Sequence, residues 1–142
     1  MLSIQVTAQL GDLLPIQGRL EKATDPQYIL DESAAFLLNK IRTRFLAEEG
    51  PEGKWVPSRS GQARRSAGGT GTLFDTGTLF RSIQLASAGT NARAIQTDVP
   101  YAGKHNFGED GQVKRLFMAF NDNDVEILRR ILYIRVKEIL NG

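Results

Sequence analysis

The side chains best suited to acid–base or metal chemistry are few in this sequence and lie far apart. His105 is the only histidine, and the chain has no cysteine. A hydroxyl nucleophile needs an adjacent base, and no local motif places a serine or threonine beside His105. One imidazole with scattered carboxylates also lacks the clustered spacing of a zinc or di-iron site. We therefore expect a structural role for His105 and predict no catalytic residue, no metal and no cofactor.

Two short patterns resemble ligand-binding loops but lack required residues. Asp122 and Asp124 have the spacing of a calcium loop, but the glycine and the distal glutamate of such a loop are missing. Helix capping accounts for both aspartates. Residues 68–72, Gly-Gly-Thr-Gly-Thr, lack the lysine that a phosphate-binding loop carries after its last glycine. This stretch is interpreted as flexible backbone.

A basic region with one aromatic residue lies in the middle of the chain. Residues 40–65 carry seven basic and three acidic side chains, whereas residues 1–39 have a net charge of −3. The arginines at 59, 64 and 65 with the tryptophan at 55 have the chemistry to bind a single-stranded nucleic acid through phosphates and base stacking. The other interpretation is a basic segment that becomes ordered on a protein partner. We favour the protein partner and keep a small nucleic-acid-binding module as the alternative.

The composition is that of a folded domain of ordinary size. The 142 residues are 41% apolar and 24% charged, and the net charge of +2 is too small to predict nucleic-acid binding by itself. The absence of cysteine suits a reducing cytosol. No signal peptide opens the chain, and no apolar run reaches the roughly 18 residues that span a bilayer. We expect neither export by a signal peptide nor a membrane partner.

Apolar periodicity predicts the elements of the first half. Residues 2–8 alternate apolar and polar side chains, which is typical of a strand with one buried face. Asp12 can cap a short helix that ends near Thr24. A longer helix, about 26–48, follows the start signal Asp-Pro and repeats apolar residues at helical spacing. Residues 50–71, rich in Gly, Ser and Arg, predict a long flexible loop.

The second half predicts more strands and a final helix. Residues 73–83 indicate a short helical turn leading into a strand, and residues 82–87 and 93–99 predict a hairpin. The apolar run 116–120 is short enough for a buried strand. The sequence Asn-Asp-Asn-Asp at 121–124 offers several N-caps for the helix that follows.

The last helix completes the predicted fold. It has an apolar stripe and a solvent side where Glu126 and Arg130 are four residues apart, and we expect it to pack onto the sheet. The stripe consists of Val125, Leu128, Ile131, Leu132, Val136, Ile139 and Leu140. The predicted class is α+β, with a small antiparallel sheet packed by the long helix and the C-terminal helix. Residues 1–142 are expected to form a single domain.

Four short blocks occur in a recognisable order and spacing. They are F-L-A-E-E-G-P-E-G-K-W-V-P at 45–57, L-F-D-T-G-T-L-F-R-S-I at 73–83, V-P-Y-A-G-K-H-N-F-G at 99–108, and R-L-F at 115–117. Together they resemble the phage virion morphogenesis family, the tail-completion proteins of Mu-like contractile-tailed phages and their prophage relatives, over about residues 26–140. The family usually has prolines around the last block, and this sequence has none there, so that turn is expected to differ.

The resemblance implies a structural subunit rather than an enzyme. Such a subunit would complete the head-proximal end of a tail and help it join the capsid, as a ring of identical copies for which a hexamer is one candidate. The implied partners are tail-tube, tail-terminator or connector proteins. The implied location is the host cytoplasm during assembly and then the virion tail or neck. A wall-degrading enzyme ranks last, because no pattern positions the paired carboxylates that it needs.

The physical properties of these blocks favour packing and protein contact. Gly77 and Gly108 fit positions where the backbone turns or approaches a neighbour closely, and large aromatic side chains offer apolar area. The candidate interface residues are Trp55, Arg59, Arg64, Arg65, Tyr101, His105 and Phe107.

Overall fold

The computed structural model describes residues 2–7, 26–74, 76–89 and 92–141. These residues form an α+β arrangement, as the sequence predicted. The helix expected between Asp12 and Thr24 lies outside the described residues. The elements in chain order are β1 (Leu2–Thr7), α1 (Pro26–Ala47), β2 (Glu49–Gly50), β3 (Gly53–Lys54), α2 (Arg59–Ser66), α3 (Thr78–Ser82), β4 (Gln84–Ser87), β5 (Ala92–Thr97), α4 (Ala102–Phe107) and α5 (Asp122–Asn141).

The main sheet has three antiparallel strands in the order β1-β5-β4. The hairpin of β4 and β5 and the first strand are confirmed. Ile4 of β1 pairs with Ile95 of β5, and Leu85 of β4 pairs with the same residue from the other side. Since directly paired residues lie on the same face of a sheet, these side chains form one apolar row. Ile95, in the central strand, is fully buried.

Helix α1 covers one face of this sheet and supplies the centre of the core. Its buried residues Ala34, Leu37, Ile41 and Phe45 follow at steps of three or four, which places them on one face of the helix. The ring of Phe45 packs edge-on against Trp55, with ring centroids 5.6 Å apart, and lies 5.3 Å from the ring of Phe117. Aromatic contacts of this kind stabilise beyond the area that they bury.

Helix α5 packs mainly against α1 and not onto the sheet as the sequence predicted, and an ion pair and its N-terminal cap fix its position. Arg135 donates to both carboxylate oxygens of Glu32 at 2.7 Å, which holds the pKa of Glu32 below its usual value. At the start of α5, the amide of Asp124 donates to Asn121 Oδ1 at 2.9 Å, and the amide of Asn121 donates back to Asp124 Oδ2 at 3.0 Å. This reciprocal cap confirms the capping role expected for Asp124.

The prediction of an irregular segment over residues 50–71 is confirmed only in part, because residues 55–58 and 67–71 are irregular and the rest is not. The segment contains the two-stranded hairpin of β2 and β3 and the eight-residue helix α2. Ser58 caps α2 by accepting the amide of Gly61 at 2.9 Å, and the amides of Gly68 and Gly69 return to the last carbonyls of the helix. A Cβ at Gly61 would lie 2.8 Å from the backbone of Thr72, so the missing side chain lets α2 pack closely there.

The strand predicted at residues 116–120 is also wrong, although its burial was anticipated correctly. Phe117 and Met118 are buried, but the backbone there is irregular. Side chains replace the ladder of a sheet: Asn106 Oδ1 accepts the amides of both residues at 2.9 and 2.8 Å. Arg44 donates to the carbonyls of Phe117 and Ala119, and Trp55 Nε1 donates to that of Leu116 at 3.0 Å. Polar groups of a buried segment can thus be satisfied without a strand.

The role of Asn106 leads to a prediction for stability. Asn106→Ala removes the acceptor of two buried amides, and each unpaired buried donor costs about 1–3 kcal/mol. We expect the free energy of unfolding, measured by urea denaturation, to fall by roughly 2 kcal/mol or more. Asn123→Ala is the matched control, because Asn123 is exposed on the first turn of α5. Equal unfolding midpoints for the two variants would show that Asn106 does not support this segment.

Candidate interaction site

Helix α4 and its N-cap residue carry two exposed aromatic side chains on a backbone that is fixed from inside. Ala102 and Asn106, one helical turn apart, are 1% and 0% exposed and face the core. Tyr101 and Phe107 lie beside these two residues in sequence and are 42% and 53% exposed. The helix ends at Gly108, whose φ of +72° favours glycine. Gly77, before α3, also has a positive φ, of +81°, so both glycines occupy the kind of backbone turn predicted for them.

Arg115 joins α4 to the segment that precedes α2. Its amide donates to the carbonyl of His105 at 2.8 Å, and its Nε donates to the carbonyl of Val56 at 2.7 Å. Arg115 is itself 6% exposed, while Val56 is 59% exposed. One buried arginine therefore links the backbone of α4 to the backbone at Val56. Both of these backbone segments carry exposed apolar side chains.

His105 lies half-buried on α4 and has the character of a structural residue. Its imidazole packs edge-on against the ring of Tyr101, with centroids 5.9 Å apart. Burial lowers the pKa of His105, and the nearby charge of Arg115 lowers it further. The imidazole is therefore neutral at pH 7. Its Nδ1 is buried and has no hydrogen-bond partner among the described residues.

Trp55 is not the exposed aromatic residue that nucleic-acid stacking or a protein interface would need. It is 6% exposed, packs against Phe45 and donates its indole hydrogen to the carbonyl of Leu116. The physical reason is its place after the β2–β3 hairpin, which turns the side chain back onto α1. The proposal of Trp55 as a surface contact is corrected: its ring belongs to the core.

The three arginines of α2 have different environments. Arg59 is exposed at the first turn of the helix. Arg64 is partly buried and donates to the carbonyl of Gly71 at 2.7 Å, and Arg65, 54% exposed, forms an ion pair with Glu48 at 3.0 Å. Two of the three therefore hold α2 to the rest of the protein. The glycine-rich stretch 68–72, interpreted from sequence as flexible, is the partner of these contacts and ends the helix.

Glu48 is a central residue of this region that sequence reasoning missed. Its carboxylate accepts the amide of the fully buried Thr72 and pairs with Arg65, and its carbonyl accepts the amide of Trp55 at 2.8 Å. Its backbone has a φ of +53°, a strained conformation for a residue with a side chain. A glutamate directly after a helix gives no sequence signal for such a role, because its partners lie 7 to 24 residues further along the chain.

Together these contacts define an α+β domain with a fixed surface that carries apolar side chains. The chain belongs to the phage virion morphogenesis family, whose model matches residues 8–132. No curated protein and no solved structure matches it. The family confirms the resemblance drawn from the four sequence blocks and assigns the chain to phage structure or virion assembly. None of the helices in the described part of the chain is long and apolar enough to cross a membrane.

Glu48 gives a prediction for the pH dependence of stability. The amide of Thr72 lowers the pKa of Glu48 from its usual 4.5, burial opposes this, and the charge of Arg65 adds to the lowering. A lowered pKa in the folded state stabilises the fold above the unfolded value, and this contribution is lost as the pH falls through the folded value. We expect Glu48→Gln to lower the free energy of unfolding by about 1 kcal/mol at pH 7 and by less below about pH 4.

The measurement is urea denaturation across pH 3 to 7, and Glu49→Gln is the control. Glu49 is the neighbouring glutamate and is exposed, so its substitution should change stability by less than about 0.5 kcal/mol at every pH. A Glu48→Gln variant with the same pH profile as the wild type would mean that the carboxylate does not fix α2.

Proposed function

We propose that this protein completes the head-proximal end of a phage tail and helps join the tail to the capsid. In this proposal it assembles into a ring of identical copies and binds tail-tube, tail-terminator or connector proteins. The observation that carries the proposal is the pair of exposed aromatic residues Tyr101 and Phe107 on the rigid helix α4. Membership of the phage virion morphogenesis family supplies the context of assembly.

The rigidity of α4 matters because binding is opposed by the ordering of side chains and backbone. Tyr101 and Phe107 each adjoin a buried residue in sequence, Ala102 and Asn106. The helix is fixed by the hydrogen bonds of the Asn106 side chain and by the amide of Arg115, which donates to the carbonyl of His105. Little backbone freedom is therefore left to lose on association. Aromatic side chains held in this way are the kind that dominate the energy of protein interfaces.

We further propose that the protein is not an enzyme. His105 is neutral at pH 7 and packs against a tyrosine ring, which is a structural arrangement. One buried ion pair of the described residues, Arg44 with Asp124, is engaged with backbone carbonyls and a helix cap. The contacts of this ion pair are structural, and the family also points to a structural role.

The first test is the mass of the protein in solution, measured together with negative-stain imaging. We expect closed rings and binding to purified tail tubes. A strict monomer that also fails to bind tail tubes would contradict the proposal.

The second test concerns the aromatic residues. We expect Tyr101→Ser combined with Phe107→Ser to raise the dissociation constant of self-assembly, or of tail-tube binding, by about tenfold or more. The urea midpoint should stay within error, because both side chains are exposed. Tyr133→Ser is the control, since Tyr133 is 62% exposed on α5. Equal assembly of all three proteins would exclude α4 as the contact surface.

The alternative function, nucleic-acid binding through residues 40–65, is weakened by the geometry. The proposed stacking residue Trp55 lies in the core, and Arg64 and Arg65 hold Gly71 and Glu48. A filter-binding series at two salt concentrations should give weak binding to single-stranded DNA, unaffected by Arg59→Ala. Tight binding that falls steeply with salt and is lost in Arg59→Ala would favour the alternative.

A further inference from the structure

Two exposed surfaces of this chain have opposite charge. The α4 surface consists of Asp98, Tyr101, Phe107 and Glu109, all of which are exposed. The α2 surface consists of Arg59, Gln62, Ala63 and Ser66, which are exposed and follow at helical spacing along one face. The first surface carries two exposed aromatic rings, and the second includes the small side chains of Ala63 and Ser66.

The charge of the two regions differs in sign. Residues 53–74 contain four basic residues, Lys54, Arg59, Arg64 and Arg65, and no acidic ones, a net charge of +4, of which the charge of Arg65 is paired with Glu48. Residues 98–112 contain three acidic residues and one lysine, a net charge of −2 with His105 neutral. Lys104 pairs with Asp110 at 3.1 Å, so the net charge there comes from Asp98 and Glu109.

We infer that the α4 surface of one copy docks on the α2 surface of the next copy. This inference rests on the self-assembly proposed above and names the contact that produces it. A contact between two α4 surfaces would oppose acidic groups, and a contact between two α2 surfaces would oppose basic groups. Only the unlike pairing brings opposite charges together. Because the two surfaces are different patches, repeated pairing gives a ring when the rotation between copies closes.

Helix α2 is already folded in the single chain, before any contact with another copy. The hydrogen bond from Arg64 and the ion pair of Arg65 hold the inner side of α2, which leaves the outer face with Arg59 presented in one orientation. Both partners of the contact are therefore preorganised. Charged groups at its edge would accelerate association and fix which surfaces meet.

Charge reversal of each surface, alone and together, tests the contact. The α2 variant is Arg59→Glu with Gln62→Glu, and the α4 variant is Asp98→Lys with Glu109→Lys. Sedimentation velocity should show that each variant alone shifts toward monomer, with a dissociation constant raised about tenfold or more. An equimolar mixture of the two variants should assemble again, and so should the chain that carries all four substitutions. Substitutions that merely damage the fold would not be rescued in this way.

The control variant has the same change in net charge as the α2 variant, but its substitutions lie on α5. Asn123→Glu with Arg130→Glu alters exposed residues of α5 and lowers the net charge by the same three charges as the α2 variant. It should assemble like the wild type. Mixing it with the α4 variant should not restore the assembly of the α4 variant, which separates a specific contact from attraction between net charges.

The outcomes distinguish the contact from the self-assembly on which it rests. A wild-type chain that stays monomeric at every concentration would overturn both. A wild-type chain that assembles while the α2 and α4 variants assemble equally well would overturn this contact alone. Failure of both the mixture and the four-substitution chain to assemble would also overturn it, provided that each variant unfolds at the wild-type urea midpoint.

Discussion

The buried guanidinium of Arg44 connects helix α1 to residues 117–124, which are distant from it in sequence. From helix α1 it donates to the carbonyls of Phe117 and Ala119 and, at 2.9 Å, to Asp124 at the start of α5. Arg44 and Asp124 are 5% and 0% exposed, so neither charge can return to water if its partner is removed. Asp124 also closes the reciprocal cap with Asn121. One arginine thus fixes both the closing segment and the last helix.

The exposed surface depends on this interior arrangement. Arg44 binds carbonyls of the segment 116–120, and Asn106 accepts two amides of the same segment. Arg115, which directly precedes this segment, links α4 to Val56. The positions of Tyr101 and Phe107 at the surface therefore follow from polar contacts inside the protein. A helix as short as α4 has little stability of its own, so its orientation is set by tertiary contacts.

Periodicity predicted the elements that bury a continuous apolar face, and it failed where polar contacts between distant residues decide the structure. The first strand, α1, the hairpin and α5 follow their apolar patterns closely. Helix α2 has no apolar stripe, and its Gly, Ser and Arg composition is that of a loop, although Ser58 after a proline was a usable cap signal. The run 116–120 is apolar like a strand, but its hydrogen-bond partners lie at Asn106, Trp55 and Arg44.

The candidate interaction site could be predicted only in part, because a sequence pattern does not show the contacts between distant residues. Short blocks without a period do not show which aromatic residue faces inward, so Trp55 could not be separated from Tyr101 and Phe107 by sequence alone. The basic segment was expected to become ordered only on a partner, a process that loses conformational entropy on binding. Because Glu48, Ser58 and Thr72 already order α2 in the single chain, that entropy is lost during folding instead. In the proposed self-assembly, association would then depend on the charge of two preformed surfaces.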